Sequence, residues 1–152
     1  MNFFSSPIAL AAFGALFLTQ LLKVPIDYLR KKKWNWSLII NSGGMPSSHS
    51  ALMGAVTTAI GLYHGWGSPV FILGLAITVI VVYDATGVRR QAGLHAERIN
   101  DIVREALAHR NLPEDEAKFL REVIGHSPTE AAVGLLFGVV FAIIIWLIFP
   151  TA

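Results

Sequence analysis

The chain has no cysteine and little charge. The first absence excludes disulfides and thiolate metal sites, though it says nothing of redox compartment. The second is more informative. Only 14% of the 152 residues are Asp, Glu, Lys or Arg, while 54% are hydrophobic. Soluble domains carry roughly 25% charged residues, so an ordinary water-soluble domain is excluded. Charge is missing altogether from three runs, Asn2 to Leu22, Trp66 to Tyr83 and Ala131 to Ala152. Crossing the hydrocarbon takes about 20 apolar residues, and each run is long enough or nearly so. A fourth run, Ala51 to Tyr63, is shorter and needs help from the polar stretch before it. The first run lacks the basic start of a signal peptide and its apolar part is too long for one, so it reads as a retained helix.

These runs predict an all-α polytopic membrane protein, one domain over 1–152, with about four transmembrane helices at 3–22, 49–63, 67–87 and 129–149. All 12 Lys and Arg then fall on one side. The short connection His64 to Ser68 has none. The positive-inside rule makes the cation-bearing side cytoplasmic, with both termini outward. Residues 91–125 form an insert between the third and fourth helices. Ala96 to Ala108 places Ile99, Ile102, Val103, Ala106 and Leu107 at helical spacing. Glu114 to Ile124 reads as a second short helix with Phe119, Leu120 and Val123 on its apolar face, and Asn111-Leu112-Pro113 breaks the two. The expectation is an amphipathic helical hairpin at the membrane surface over the site; a solvated connector is the plainer alternative. Pro25 predicts a kink at Val24, because the residue before proline avoids helix.

One polar island interrupts this chain, Gly43-Gly44-Met45-Pro46-Ser47-Ser48-His49-Ser50. A turn and a serine cap explain part of it. They do not explain His49, because a histidine at the start of a membrane helix is costly unless paired or solvated. Amides at a helix start form a ready anion site. Candidate partners lie on the same side: Lys23 and Arg30 after the first helix, Arg89 and Arg90 after the third, His126 and Glu130 at the entry to the fourth. Two histidines, several cations and a loop of small polar residues suit phosphoryl transfer without a metal. One histidine attacks phosphorus, the other protonates the leaving oxygen, and cations hold the equatorial oxygens.

These residues resemble the three motifs of the type 2 phosphatidic acid phosphatase and vanadium haloperoxidase superfamily: KxxxxxxRP, PSGH and SRxxxxxHxxxD. Lys23-(six residues)-Arg30 matches the first, with Lys31 in place of proline. Pro46-Ser47-Ser48-His49 matches the second, with Ser48 in place of glycine. His126-Ser127-Pro128-Thr129-Glu130 matches the end of the third, with Glu for Asp. The arginine of that motif is displaced to Arg89 or Arg90, with the insert before His126. The set is most similar to the divergent branch of small bacterial and plastid membrane proteins. The spacing Arg89-(five residues)-His95 is a rival, but Ile99 stands where the acid belongs, so His95 reads as a surface residue.

The resemblance implies His126 as nucleophile, His49 as general acid and then base, and Glu130 as the group that orients His126. Glu130 also completes a capping box with Ser127, which is the plain alternative for it. Phosphate binding falls to Lys23, Arg30, Ser48, Arg89 and Arg90. Gly44 would let the loop approach closely, and Asp84 would hold Arg89 or Arg90. Asp27 is a similar candidate for Arg30. The implied function is an integral-membrane phosphatase of a lipid phosphate or diphosphate, acting through phosphohistidine with no cofactor. It would sit in the bacterial cytoplasmic membrane with its site facing the cytoplasm. A non-catalytic binder or transporter of phosphorylated lipids is the alternative. A haloperoxidase would need vanadate, and nucleic-acid binding has little support because the cations track the membrane edge. Gly134 and Gly138 form a GxxxG that suits close helix packing within one subunit or between two in a homodimer. Trp34, Trp36 and Trp66 suit membrane-interface anchors, and Trp146 also falls near an interface.

Overall fold

A computed structural model describes residues 6–39, 43–110, 113, 117–120, 122 and 124–150. Among them there are helices and no strands. The order is α1 (Pro7–Lys31), a short 3-10 turn (Trp36–Ile39), α2 (Ser48–His64), α3 (Pro69–Thr86), α4 (Val88–His109) and α5 (Pro128–Ile148). Three helical stretches are long and apolar enough to cross a membrane: Pro7–Lys31, Pro69–His109, whose apolar part is α3, and Pro128–Ile148. The chain is a polytopic all-α membrane protein.

α2 is the centre. It is 17 residues long, about 25 Å, and packs against α1, α3 and α5. Its buried residues are small: Ser50, Ala51, Gly54, Ala55, Thr57, Thr58, Ala59 and Gly61. In lipid the hydrophobic effect does not drive helices together, and small residues serve by letting backbones close up. Ala11 and Ala15 of α1 and Ala142 and Ile145 of α5 meet Ala51, Ala55 and Ala59 in one cluster. The GxxxG of α5 is spent on this contact. A Cβ at Gly134 would lie 2.2 Å from the Ser47 carbonyl oxygen, and one at Gly138 would lie 2.1 Å from that of Ala51. The close packing is therefore within one chain.

Serine caps set the starts of four helices. Ser6, Ser47, Ser68 and Ser127 accept from the third residue beyond, and Pro7, Pro69 and Pro128 occupy first positions. α1 departs from expectation. It does not end or restart at Val24 but runs through Pro25 to Lys31. Proline removes one N–H, and a membrane helix tolerates the loss where neighbours re-satisfy the backbone. The stop comes at Lys32, left-handed at φ 56°, whose N–H donates to the Tyr28 carbonyl.

The insert also departs from the hairpin expectation. α4 starts at Val88, eight residues earlier than the apolar spacing predicts, and takes in Arg89 and Arg90. Of the second helix, the described residues 117–120, 122 and 124 lie outside any helix; the remainder of Glu114 to Ile124 falls outside the described residues. Asn100, buried on α4, explains this. Its amide accepts from the Leu120 N–H and donates to the Leu120 carbonyl, both at 2.8 Å, and donates to Glu122 at 2.8 Å. Those backbone groups would be used internally by a helix. Here they tie the returning strand of chain to α4, and Gly93 lets it lie close to the Glu122 carbonyl.

Candidate active site

The returning segment delivers His126 to the cation-bearing end of the bundle. Its N–H donates to the Ala85 carbonyl at 3.0 Å, so the last turn of α3 fixes its backbone. Gly125 fits there because a Cβ would strike the Arg90 backbone. The His126 side chain is 3% exposed. Its Nδ1 lies 3.3 Å from a Glu130 carboxylate oxygen. Its Nε2 is buried and has no hydrogen-bond partner among the described residues.

Glu130 meets both readings of it. The carboxylate accepts the Ser127 N–H at 3.0 Å, and the Ser127 hydroxyl accepts the Glu130 N–H at 3.3 Å, a complete capping box. The same oxygen faces His126. The cap and the imidazole contact are one arrangement, because the first turn of α5 places the carboxylate between Ser127 and the ring.

The polar loop arrives through α2. The Ser47 N–H donates to the Glu130 carbonyl at 3.0 Å, which stitches the loop to the first turn of α5. Ser47, not Ser48, is the cap. Ser48 is buried at the first helical position and His49, next along, is exposed. The His49 and His126 ring centroids are 6.4 Å apart, tilted by 56°. Gly44 has φ +93°, which a side-chain-bearing residue rarely adopts. The stem of Lys23 runs beside it, 3.8 Å from where a Cβ would stand. Lys23 is 1% exposed and within electrostatic reach of Glu130 and His49.

Arg89 and Arg90 separate. Arg89 pairs through Nε with Asp84 at 2.5 Å. Both line a cavity of about 270 Å³ shared with His49, His126, Ile80, Val81 and Ile124. Arg90 lines a second cavity, of about 240 Å³, with Glu97, Glu122, Glu130 and the other side of His126. Asp84 therefore holds Arg89. Asp27 is engaged elsewhere, with Lys31 at 2.8 Å. Arg30 is not brought in: it is exposed at the end of α1 and lines neither cavity. His95 is exposed, as its reading as a surface residue requires. Sequence reasoning missed Asn100 and the Ala85 carbonyl, which aim His126 indirectly. A polar residue within the apolar stripe of α4 was the available signal for the first; a backbone acceptor leaves none.

The cluster thus offers an unpartnered imidazole nitrogen, a second imidazole across a narrow gap, and a guanidinium fixed by a carboxylate, all at the mouth of a membrane bundle. No solved structure matches the chain. It is 38% identical, over 144 residues, to an uncharacterized membrane protein, YuiD, of Bacillus subtilis (strain 168), an alignment covering 90% of this chain and 91% of that one. Residues 4–141 match the family described as divergent PAP2. That span takes in the polar loop, both arginines, both histidines and Glu130, and with it the chain belongs to the divergent PAP2 family.

Proposed function

We propose that the protein is a membrane phosphatase of lipid phosphates or diphosphates, acting through a phosphohistidine intermediate at the cytoplasmic face. The observation that carries this reading is the state of His126. Its Nδ1 is engaged by Glu130 while Nε2 has no partner among the described residues and a second histidine ring stands 6.4 Å away. Reacting atoms approach to about 3–3.5 Å, so a phosphorus between the two rings suits that separation.

In the first step His126 Nε2 attacks phosphorus. The bond from phosphorus to the lipid oxygen breaks, and that oxygen takes a proton from His49. Glu130 stabilises the positive charge that develops on the imidazole. Arg89, steadied by Asp84, offers its remaining N–H groups to the equatorial oxygens. The first amides of α2, with Ser48, and the Lys23 charge serve the same oxygens from below. In the second step neutral His49 takes a proton from water, the hydroxide attacks phosphorus, and the P–N bond breaks back to Nε2. The sum is lipid phosphate plus water to lipid alcohol plus inorganic phosphate. The apolar residues Ile80, Val81 and Ile124 in the same cavity suit a substrate whose headgroup is joined to hydrocarbon.

The test is phosphate release by purified protein in detergent, without divalent metal, across phosphatidate, phosphatidylglycerophosphate and polyprenyl phosphates. Loss of turnover in both His126→Ala and His49→Ala, with an acid-labile phosphoprotein trapped in the wild type, supports the reading. A folded protein that binds phosphate and releases none from any lipid would replace it with a binder or transporter.

A further inference from the structure

A cavity of about 540 Å³ lies away from the histidines, between α2, α3 and α5. Its floor is Gly54, Thr57 and Thr58 of α2. One wall is α3 from Phe71 to Thr86; the other is Leu135 and Val139 of α5. It is on the opposite flank of α3 from the candidate active site. Val82 lines this cavity and Asp84 the histidine one, and two positions on a helix are about 200° apart. A molecule held between His49 and His126 does not fill it.

The lining disfavours a charged occupant. Among the described residues no charged side chain borders the cavity. Thr78 donates to the Gly74 carbonyl at 2.8 Å and pairs with the Thr57 hydroxyl at 2.8 Å; Thr86 donates to the Val82 carbonyl at 2.8 Å. These hydroxyls are already engaged by the protein.

The dimensions decide between apolar occupants. From Phe71 to Thr86 is fifteen residues of rise, about 22 Å. About 540 Å³ spread beside that length of α3 makes a narrow space, far smaller than a helix of the same length would fill. A helix with its side chains is about 10–12 Å across, so no helix of a second copy enters. A hydrocarbon chain, whose carbon atoms pack at about 3.5–4.0 Å from their neighbours, is the apolar occupant slender enough for it. Trp66 borders the cavity at the outer end, set edge-on to Phe71 at 5.1 Å. α3 and α5, which barely touch, both cross the hydrocarbon, so what surrounds the opening is lipid.

We infer that this cavity seats one hydrocarbon chain of a bilayer lipid, a structural ligand separate from the proposed substrate. The chain fills the space between α3 and α5 and so braces the helix whose inner end carries Asp84 and the Ala85 carbonyl.

Native mass spectrometry of the protein released from mild detergent tests this. One phospholipid mass per chain should survive activation that strips all other lipid. Leu75→Trp with Val79→Trp, both on the α3 wall, should lose it; Val133→Trp, on the exposed face of α5, should keep it. A second measurement does not depend on that variant's folding. With Trp34→Phe, Trp36→Phe and Trp146→Phe, Trp66 is the sole indole. Its fluorescence in delipidated protein, titrated with a brominated fatty acid, should fall to a plateau at one equivalent and recover on adding the unbrominated acid. Quenching in simple proportion to the probe, with no plateau, overturns the inference. So does equal lipid retention in the filled variant, or a retained mass that is a second protein chain.

Discussion

At the scale of single residues, Glu130 carries two duties that substitution can separate. Glu130→Gln keeps a side chain that still completes a capping box but removes the charge facing His126. Phosphate release should fall at least about tenfold while the unfolding midpoint in detergent barely moves, since orienting and charge-stabilising partners of a catalytic histidine are worth that or more. Ser127→Ala does the reverse: it removes the cap, costs about 1 kcal/mol of stability, and leaves most of the turnover. If both variants lose stability and activity in step, Glu130 is only a cap. The arginines make a second pair. Arg89 shares a cavity with both histidines and is held by Asp84, whereas Arg90 lines the other cavity, which His49 does not border. Arg89→Ala should therefore lower kcat by about 10²-fold or more, the scale of one lost transition-state donor, and Arg90→Ala by much less. Kinetics of the two variants on one lipid phosphate decide the matter. The choice was not legible in the sequence. Neighbouring positions point about 100° apart on a helix, and which one faces the site depends on α4 starting at Val88, which the apolar spacing placed eight residues later.

At the scale of elements, the contact between α2 and α5 is made of backbone. Gly138→Ala puts a methyl against the Ala51 carbonyl and should cost about 1–3 kcal/mol, the range for overpacking, read as a lower unfolding midpoint in detergent. Gly134→Ala pushes on Ser47 itself, so it should also cut phosphate release, while Val140→Ala on the exposed side of α5 should do neither. Asn100 governs another element. Asn100→Ala removes the partner of the Leu120 backbone groups, which are only part-buried, so the cost should be that of ordinary hydrogen bonds, about 0.5–1.5 kcal/mol each; amide exchange should quicken at Leu120. Element ends were well announced where serine and proline mark them: α2, α3 and α5 begin and end within two residues of the spacing read from the chain. The overrun of α1 through Pro25 was hidden because a rule drawn from backbone sterics does not know that neighbouring helices relieve it. The non-helical return arm was hidden because its hydrogen-bond partner lies twenty residues upstream, on a different element.

At the scale of the whole molecule, every lysine and arginine sits between Lys23 and Lys33, at the end of α1 and just beyond it, or in the stretch from Arg89 to Arg121, and the candidate site lies at that end. The chain also carries no cysteine, so single cysteines can be placed without background. A cysteine at Gly67 in the α2–α3 turn should react with an impermeant maleimide on intact cells; one at Lys33 should react only after permeabilisation. The opposite pattern would put the site on the outer face and point to outer-leaflet phosphates. The histidine-bearing end was legible from charge and motif alone. The second, dry cavity between α3 and α5 was not, because an apolar lining leaves no mark in a chain that is apolar almost throughout.

The touching glycines have a consequence for how this protein can vary. Ser47 and Glu130 meet through main-chain groups, and Gly134 and Gly138 rest on carbonyls rather than on side chains. The spacing of His49 from His126 is thus gauged by peptide geometry, which every sequence shares. Outward positions of the two helices can drift toward whatever a given membrane favours, thicker or thinner, and the gap between the imidazoles stays where it is.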